Sequence, residues 1–213
     1  MKKDHTTFKL ITPFIWCLDK SCARTGEGRR AMLKILQDFK AEMLENEYAK
    51  EALYMEVIQF AKEPEIVFPF GSIGDFEPEK MEINGENFSS LNQLLPFLSK
   101  ELRGVRESLA EKGFAQCQPR IFLITDGGFS RRCKKALKKF RCFKNGALGK
   151  EFIVLEPEKA DHANIKEAVS QINGYIVPAN LPGLSYRDLF WTPHLDFPEY
   201  FYGDKKVFMD NFF

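Results

Sequence analysis

The chain has 213 residues, 44% hydrophobic and 29% charged, with 31 Lys and Arg against 30 Asp and Glu and a formal net charge of +1. That length suits one domain with a sizeable core, and the charge balance selects neither nucleic acid, nor a membrane surface, nor an acidic substrate. No apolar stretch reaches the ~20 residues of a bilayer-spanning helix, and five scattered cysteines form neither a disulfide framework nor a CxxC metal pattern.

In chain order, the opening "MKKDHTTFKLITPF" faintly imitates a signal peptide, but Pro13 and the polar "DHTT" interrupt it. Ile11–Leu18 is better read as a buried strand, which stops on Asp19 and passes through Lys20, Ser21 and Cys22. Met32, Ile35, Leu36, Phe39 and Met43 recur at spacings of three and four and predict a helix. "LYMEVIQFA" and "EIVFPF" follow as two adjacent strands, and Gly71–Asn87 reads as a loop.

Leu91, Leu94, Leu95, Leu98, Leu102, Val105 and Leu109 then mark one face of a second long helix. Ser89 or Ser90 is its N-cap, and Pro96 should kink it or mark a later start. "RIFLI" is the clearest buried strand and runs into Thr125–Asp126–Gly127–Gly128. A basic helix (Arg131–Arg141), the strand "EFIVL", a helix Asn164–Ile172, the strand "YIVPA" and a last segment "YRDLFW" complete the chain.

Strands alternating with helices predict an α/β fold: a doubly wound, mainly parallel, Rossmann-like sheet with one antiparallel strand and helices on both faces. One domain is expected over 1–213, with a core from about 8 to 191 and an aromatic extension over 192–213. Ligands of such sheets bind beyond the carboxyl ends of the strands, where strand order reverses. Asp19 and Asp126 both stand at such ends. With Ser21 and Ser89 they make four oxygen donors, the kind a hard divalent ion takes.

These motifs resemble those of the von Willebrand factor type A (vWA) domains, nearest the bacterial intracellular TerY-like branch associated with tellurium resistance. "FIWCLDKSCA" stands where that family has an apolar strand and D-x-S-x-S, "FSSLNQLL" where it has T-x-L-G-x-A-L, and "IFLITDGG" where it has its T-D-G motif. "YRDLFW" is similar to the aromatic last helix of bacterial members. The resemblance implies a metal-ion-dependent adhesion site with Asp19, Ser21, Ser89 and Asp126 as metal residues and Mg²⁺ or Mn²⁺ as the ion. A partner protein's acidic side chain would complete the shell. Ala23 falls where the family has its second serine, and Lys20 sets a positive charge beside the site.

The function so implied is a non-enzymatic, cytoplasmic protein-interaction module, with membrane and nucleic-acid partners not expected. One alternative is a haloacid-dehalogenase-like phosphoryl-transfer enzyme with Asp19 as nucleophile and Thr125 in support. That chemistry calls for a second Asp two residues on, where Ser21 stands. Another is a metal-free scaffold acting through the basic stretch 131–144 or the aromatic tail. "GEGRRA" (Gly26–Ala31) satisfies a dinucleotide fingerprint only formally, since the residues from Asp19 to Thr25 separate it from the strand. His5, His162 and His194 show no ligand or nucleophile spacing.

Overall fold

The computed structural model describes residues 9–129, 133, 136–137, 151–156, 161–172, 175–178 and 186. Its strands are β1 (Leu10–Asp19), β2 (Leu53–Phe60), β3 (Pro64–Ser72), β4 (Ala115–Gln116), β5 (Arg120–Ile124), β6 (Glu151–Glu156) and β7 (Tyr175–Pro178). Its helices include α1 (Gly26–Leu44), α2 (Glu47–Ala52), α3 (Leu91–Glu111) and α4 (His162–Ile172). The sheet runs β3-β2-β1-β5-β6-β7, with β4 paired to the start of β1. Among the described residues only the β2–β3 pairing is antiparallel; the other ladders are parallel. The expected doubly wound α/β sheet is therefore present.

β1 is central, so both of its faces are covered and its sequence is continuously apolar. Phe14, Trp16 and Leu18 point into one core with Met32, Ile35, Leu36, Phe39 and Met43 of α1. Ile15 and Cys17 point the other way, into a core with Leu91, Leu94, Leu95 and Leu98 of α3 and Ile165, Ala168 and Val169 of α4. The first core is aromatic at its centre. Trp16 stacks on Phe122 with ring centroids 4.4 Å apart, and Phe39 closes on Trp16 at 4.9 Å. This packing holds the end of β1 rigidly in place.

α1 begins earlier than its apolar pattern alone suggests because Thr25 caps it, its side chain accepting from the Gly28 N–H at 3.0 Å. A β-carbon on Gly28 would stand 2.0 Å from the Cys22 carbonyl oxygen, so packing requires this glycine. "GEGRRA" thus opens a helix seated on the preceding turn, in keeping with a chance fingerprint match.

Of the two expectations for Pro96 the later start is not found: α3 starts at Leu91 with Pro96 inside it. Pro96 and Asn92, whose carbonyl loses its i+4 donor, both lie on the exposed face, where water can serve that carbonyl. Gly71–Asn87 is not all loop: Gly71 and Ser72 end β3, and short 3-10 turns follow at Ile73–Asp75 and Pro78–Lys80. The short helix α2, capped by the Asn46 side chain, precedes β2 and is too brief to show a period.

Of the basic stretch, Cys133 and Leu137 are buried in the α3–α4 core; its charged residues lie outside the described set, as do residues 192–213. Tyr186 of "YRDLFW" is buried edge-on against Phe39 at 5.8 Å, and its N–H donates to Glu42 Oε2. No helix among the described residues is long and apolar enough to cross a membrane.

Candidate metal site

Strand order reverses between β1 and β5, the neighbours from which the chain winds outward in opposite directions. Leu18 pairs with Ile124, so Asp19 leaves the sheet beside Thr125 and Asp126. Ser89 is brought to the same place by two ties. It forms an isolated parallel bridge with Phe129, and the Ser90 N–H donates to the Ala61 carbonyl at 2.9 Å. Ser90, not Ser89, takes the N-cap position of α3. The four residues Asp19, Ser21, Ser89 and Asp126 accordingly meet on one sheet edge.

Asp19 is fully buried and accepts four hydrogen bonds. Its Oδ1 takes the Ser21 N–H at 2.8 Å and the Ser21 hydroxyl at 2.6 Å. Its Oδ2 takes the Ser89 hydroxyl at 3.0 Å and the Thr125 hydroxyl at 2.6 Å. Burial pushes the Asp19 carboxyl above its ordinary value, the Ser21 and Thr125 donors pull it back, and the Asp126 charge adds to the rise. A buried carboxylate held only by neutral donors lacks a countercharge.

An ionised carboxylate only accepts, so all three hydroxyls must direct their protons at Asp19. What remains on the serine oxygens is lone pairs. Ser21 Oγ also lies 3.2 Å from Asp126 Oδ1. Its single proton serves the shorter contact to Asp19, which leaves two acceptor oxygens facing each other. A cation between them would turn that repulsion into ligation. The donor chemistry therefore fits a divalent ion, with Asp19, Ser21, Ser89 and Asp126 as the residues to hold it.

Lys20 does not oppose this with a free charge: its Nζ is paired to Glu86 Oε1 at 2.9 Å. Ala23 is buried and brings no oxygen. Arg24, half-exposed at the rim, sets its guanidinium 3.9 Å from Asp126 Oδ2.

Two residues outside the four expected metal residues also contribute. Thr125, which stands in the T-D-G motif, donates its hydroxyl to Asp19 and accepts from the Gly127 N–H at 3.1 Å. Cys22, for which the sequence offers no role, accepts at its sulfur from the Asp126 N–H at 2.9 Å. Asp19, Cys22 and Asp126 each bring a ligand atom within 4.8 Å of the others. Burial and the two carboxylates raise the Cys22 thiol far above its usual range.

The "TDGG" turn is anchored from α4. Gly127 has φ +79°, a left-handed conformation, and a β-carbon there would meet the Asp161 carbonyl oxygen at 2.8 Å. Buried Asn164 donates through Nδ2 to the Gly127 carbonyl at 2.5 Å and the Phe129 carbonyl at 3.0 Å. Asn164→Ala removes the donor that serves both carbonyls and is expected to cost about 2–3 kcal/mol. A lower urea midpoint with unchanged slope is the expected reading.

The fold is that of a vWA domain. The SpRpn10 VWA domain is similar with a TM-score of 0.56 at 11% identity, over 86% of this chain and 96% of that one. Proximal thread matrix protein 1 from the mussel byssus, described with a zinc-occupied MIDAS motif, gives 0.51 at 14% identity, over 85% of this chain and 46% of that one. The pilus adhesin SpaC from Lactobacillus rhamnosus GG gives 0.53 at 13%, over 76% and 27%. This chain thus spans less than half of each of the latter two. At these identities the likeness shows the fold alone. No family model and no curated protein matches the sequence.

Proposed function

We propose that the chain is a non-enzymatic interaction module that binds a partner protein at the β1–β5 edge. A divalent cation held by Asp19, Ser21, Ser89 and Asp126 bridges to an acidic side chain of the partner. The observation that supports this best is that the Ser21, Ser89 and Thr125 hydroxyls all contact the buried Asp19 carboxylate, which leaves the serine lone pairs available beside Asp126. The ion would supply positive charge to a site that otherwise repels a carboxylate. The motif resemblance supports Mg²⁺ or Mn²⁺ as the ion and a place beside the TerY-like branch, and the scattered cysteines support a cytoplasmic location. The free thiols Cys17, Cys22, Cys117 and Cys133 suit a reducing compartment.

Phosphoryl transfer through Asp19 is disfavoured on two grounds. Both of its oxygens are already engaged by two donors each, and the residue two positions on is Ser21, a donor to Asp19 rather than a general acid. A buried, fully engaged carboxylate is poorly placed to attack.

The test is a peptide-display selection against the cation-loaded chain, with elution by chelator. Enrichment of Asp- or Glu-bearing peptides, with binding at least tenfold weaker to Asp126→Ala, is the expected result. Peptides of no acidic bias, or binding indifferent to chelator, would refute the bridging role.

A further inference from the structure

We infer that the outer edge of β3 is a second docking surface, which takes an extended peptide segment bearing Lys or Arg side chains as an added strand. This surface lies away from the β1–β5 edge and needs no cation.

β3 ends the sheet, and among the described residues no strand pairs with its outer side. Pro64 and Pro69 lack a backbone donor, which an edge strand tolerates, while Glu65 to Phe68 between them keep theirs. Glu65, Ile66, Val67 and Phe68 all line one cavity of about 590 Å³. Successive side chains of a strand point to opposite faces. A cavity touched by consecutive residues therefore runs along the open edge of the strand rather than over one face of the sheet.

The facing wall comes from the turns that follow β3. Phe76 and Met81 line the cavity, and Phe76 packs on Phe68 with ring centroids 5.0 Å apart. The Lys40 ammonium of α1 donates to the Phe76 carbonyl, and Gln59 Nε2 of β2 donates to the Glu82 carbonyl at 2.8 Å. The groove is thus formed and held from two elements before any partner arrives.

Charge names the occupant. Glu65, Asp75 and Glu82 line the groove, are exposed and make no ion pair among the described residues. The ammonium groups of Lys20 and Lys80, which also line it, are engaged, with Glu86 at 2.9 Å and with Glu77 at 2.6 Å. In a chain of net charge +1 this is a local acidic excess. Lys and Arg lay their aliphatic stems on apolar surface and keep the charged head in water. That suits a groove combining Phe68 and Met81 with unpaired carboxylates. In strand addition the main-chain bonds supply affinity and the side chains supply specificity. Two other occupants fit worse. A second copy docking edge to edge would set two acidic rims against each other. The chain's own residues 192–213 carry Asp196, Glu199, Asp204 and Asp210 against Lys205 and Lys206, an acidic balance.

The probe is a labelled peptide of about six residues, alternating Lys and Val, a usual strand length. Fluorescence anisotropy follows its binding to the full chain, in chelator and at about 0.15 M salt, where loose charge attraction is screened. Saturable binding is expected, at least tenfold weaker to the combined Glu65→Gln, Asp75→Asn and Glu82→Gln variant. The same peptide N-methylated at every residue should also bind at least tenfold more weakly, because it has no main-chain donors. Equal binding to the variant would overturn the acidic rim as the recognition element, and binding indifferent to N-methylation would overturn strand addition. Absence of saturable binding would overturn the docking surface altogether. A dimer in sedimentation that Ile66→Lys dissolves would make a second copy the occupant and overturn the assignment. The three neutralised side chains are exposed, so the variant is expected to fold, and the chelator keeps every outcome separate from the cation-bridged reading.

Discussion

Replacing Asp19 by alanine is expected to abolish saturable cation binding and the entire cation-dependent gain in thermal stability. Asp19 organises the site, since it fixes the orientation of Ser21, Ser89 and Thr125 together. Without it the three hydroxyls are free to reorient, and the cluster loses its buried negative charge. An ion that binds only the folded chain stabilises it by about 2.7 kcal/mol at a hundredfold excess over its Kd. For a chain of this size that corresponds to a rise in Tm of roughly 5–10 °C. Thermal melts of both proteins with and without the divalent ion are the check. An Asp19→Ala variant that still gained several degrees would place the ion elsewhere.

The second large effect concerns pH and a different part of the molecule. Glu56, on β2 and 3% exposed, lies where the β2–β3 register shifts. Burial lifts its carboxyl from an ordinary value of 4.5 to about 7; the Glu101 charge adds to this, and a backbone hydrogen bond from Phe70 opposes it. The folded chain therefore keeps a proton on Glu56 that the unfolded chain has already lost. Its stabilising contribution is full below about 4.5, is lost as pH rises through the window to about 7, and stays lost above it. The total is about 3 kcal/mol. Glu56→Gln removes the ionisation while keeping size, so the variant should exceed wild type by about that amount at pH 8 and show no advantage at pH 4. Urea midpoints across this range measure the difference directly. A gap between the two proteins that does not widen from pH 4 to pH 8 would show that Glu56 does not stay neutral in the folded core.

Much of this organisation is local and so could be read from residue order. β1 is legible because burial on both faces demands an unbroken apolar run, and α1 and α3 because one buried stripe imposes a spacing of three and four. Asp19 stands out because it follows such a run directly, with Ser21 two residues on, and Asp126 because it lies just past the end of a second run. What lacked a period stayed hidden: the brief α2, the two-residue β4 and the short turns between β3 and α3. The sequence left open whether Ser89 or Ser90 caps the helix, while the motif already pointed to Ser89 for the site. The structure gives the cap position to Ser90, and the bridge to Phe129 and the tie to Ala61 bring Ser89 to the sheet edge.

Cys22 shows the division most clearly. Its neighbours in sequence make it a spacer, whereas its partner Asp126 lies 104 residues away. Residue order set which groups face the core and which end a strand, since both depend on nearest neighbours along the chain. The tertiary structure decided which strand ends adjoin, because the direction in which each helix crosses the sheet depends on packing between distant segments.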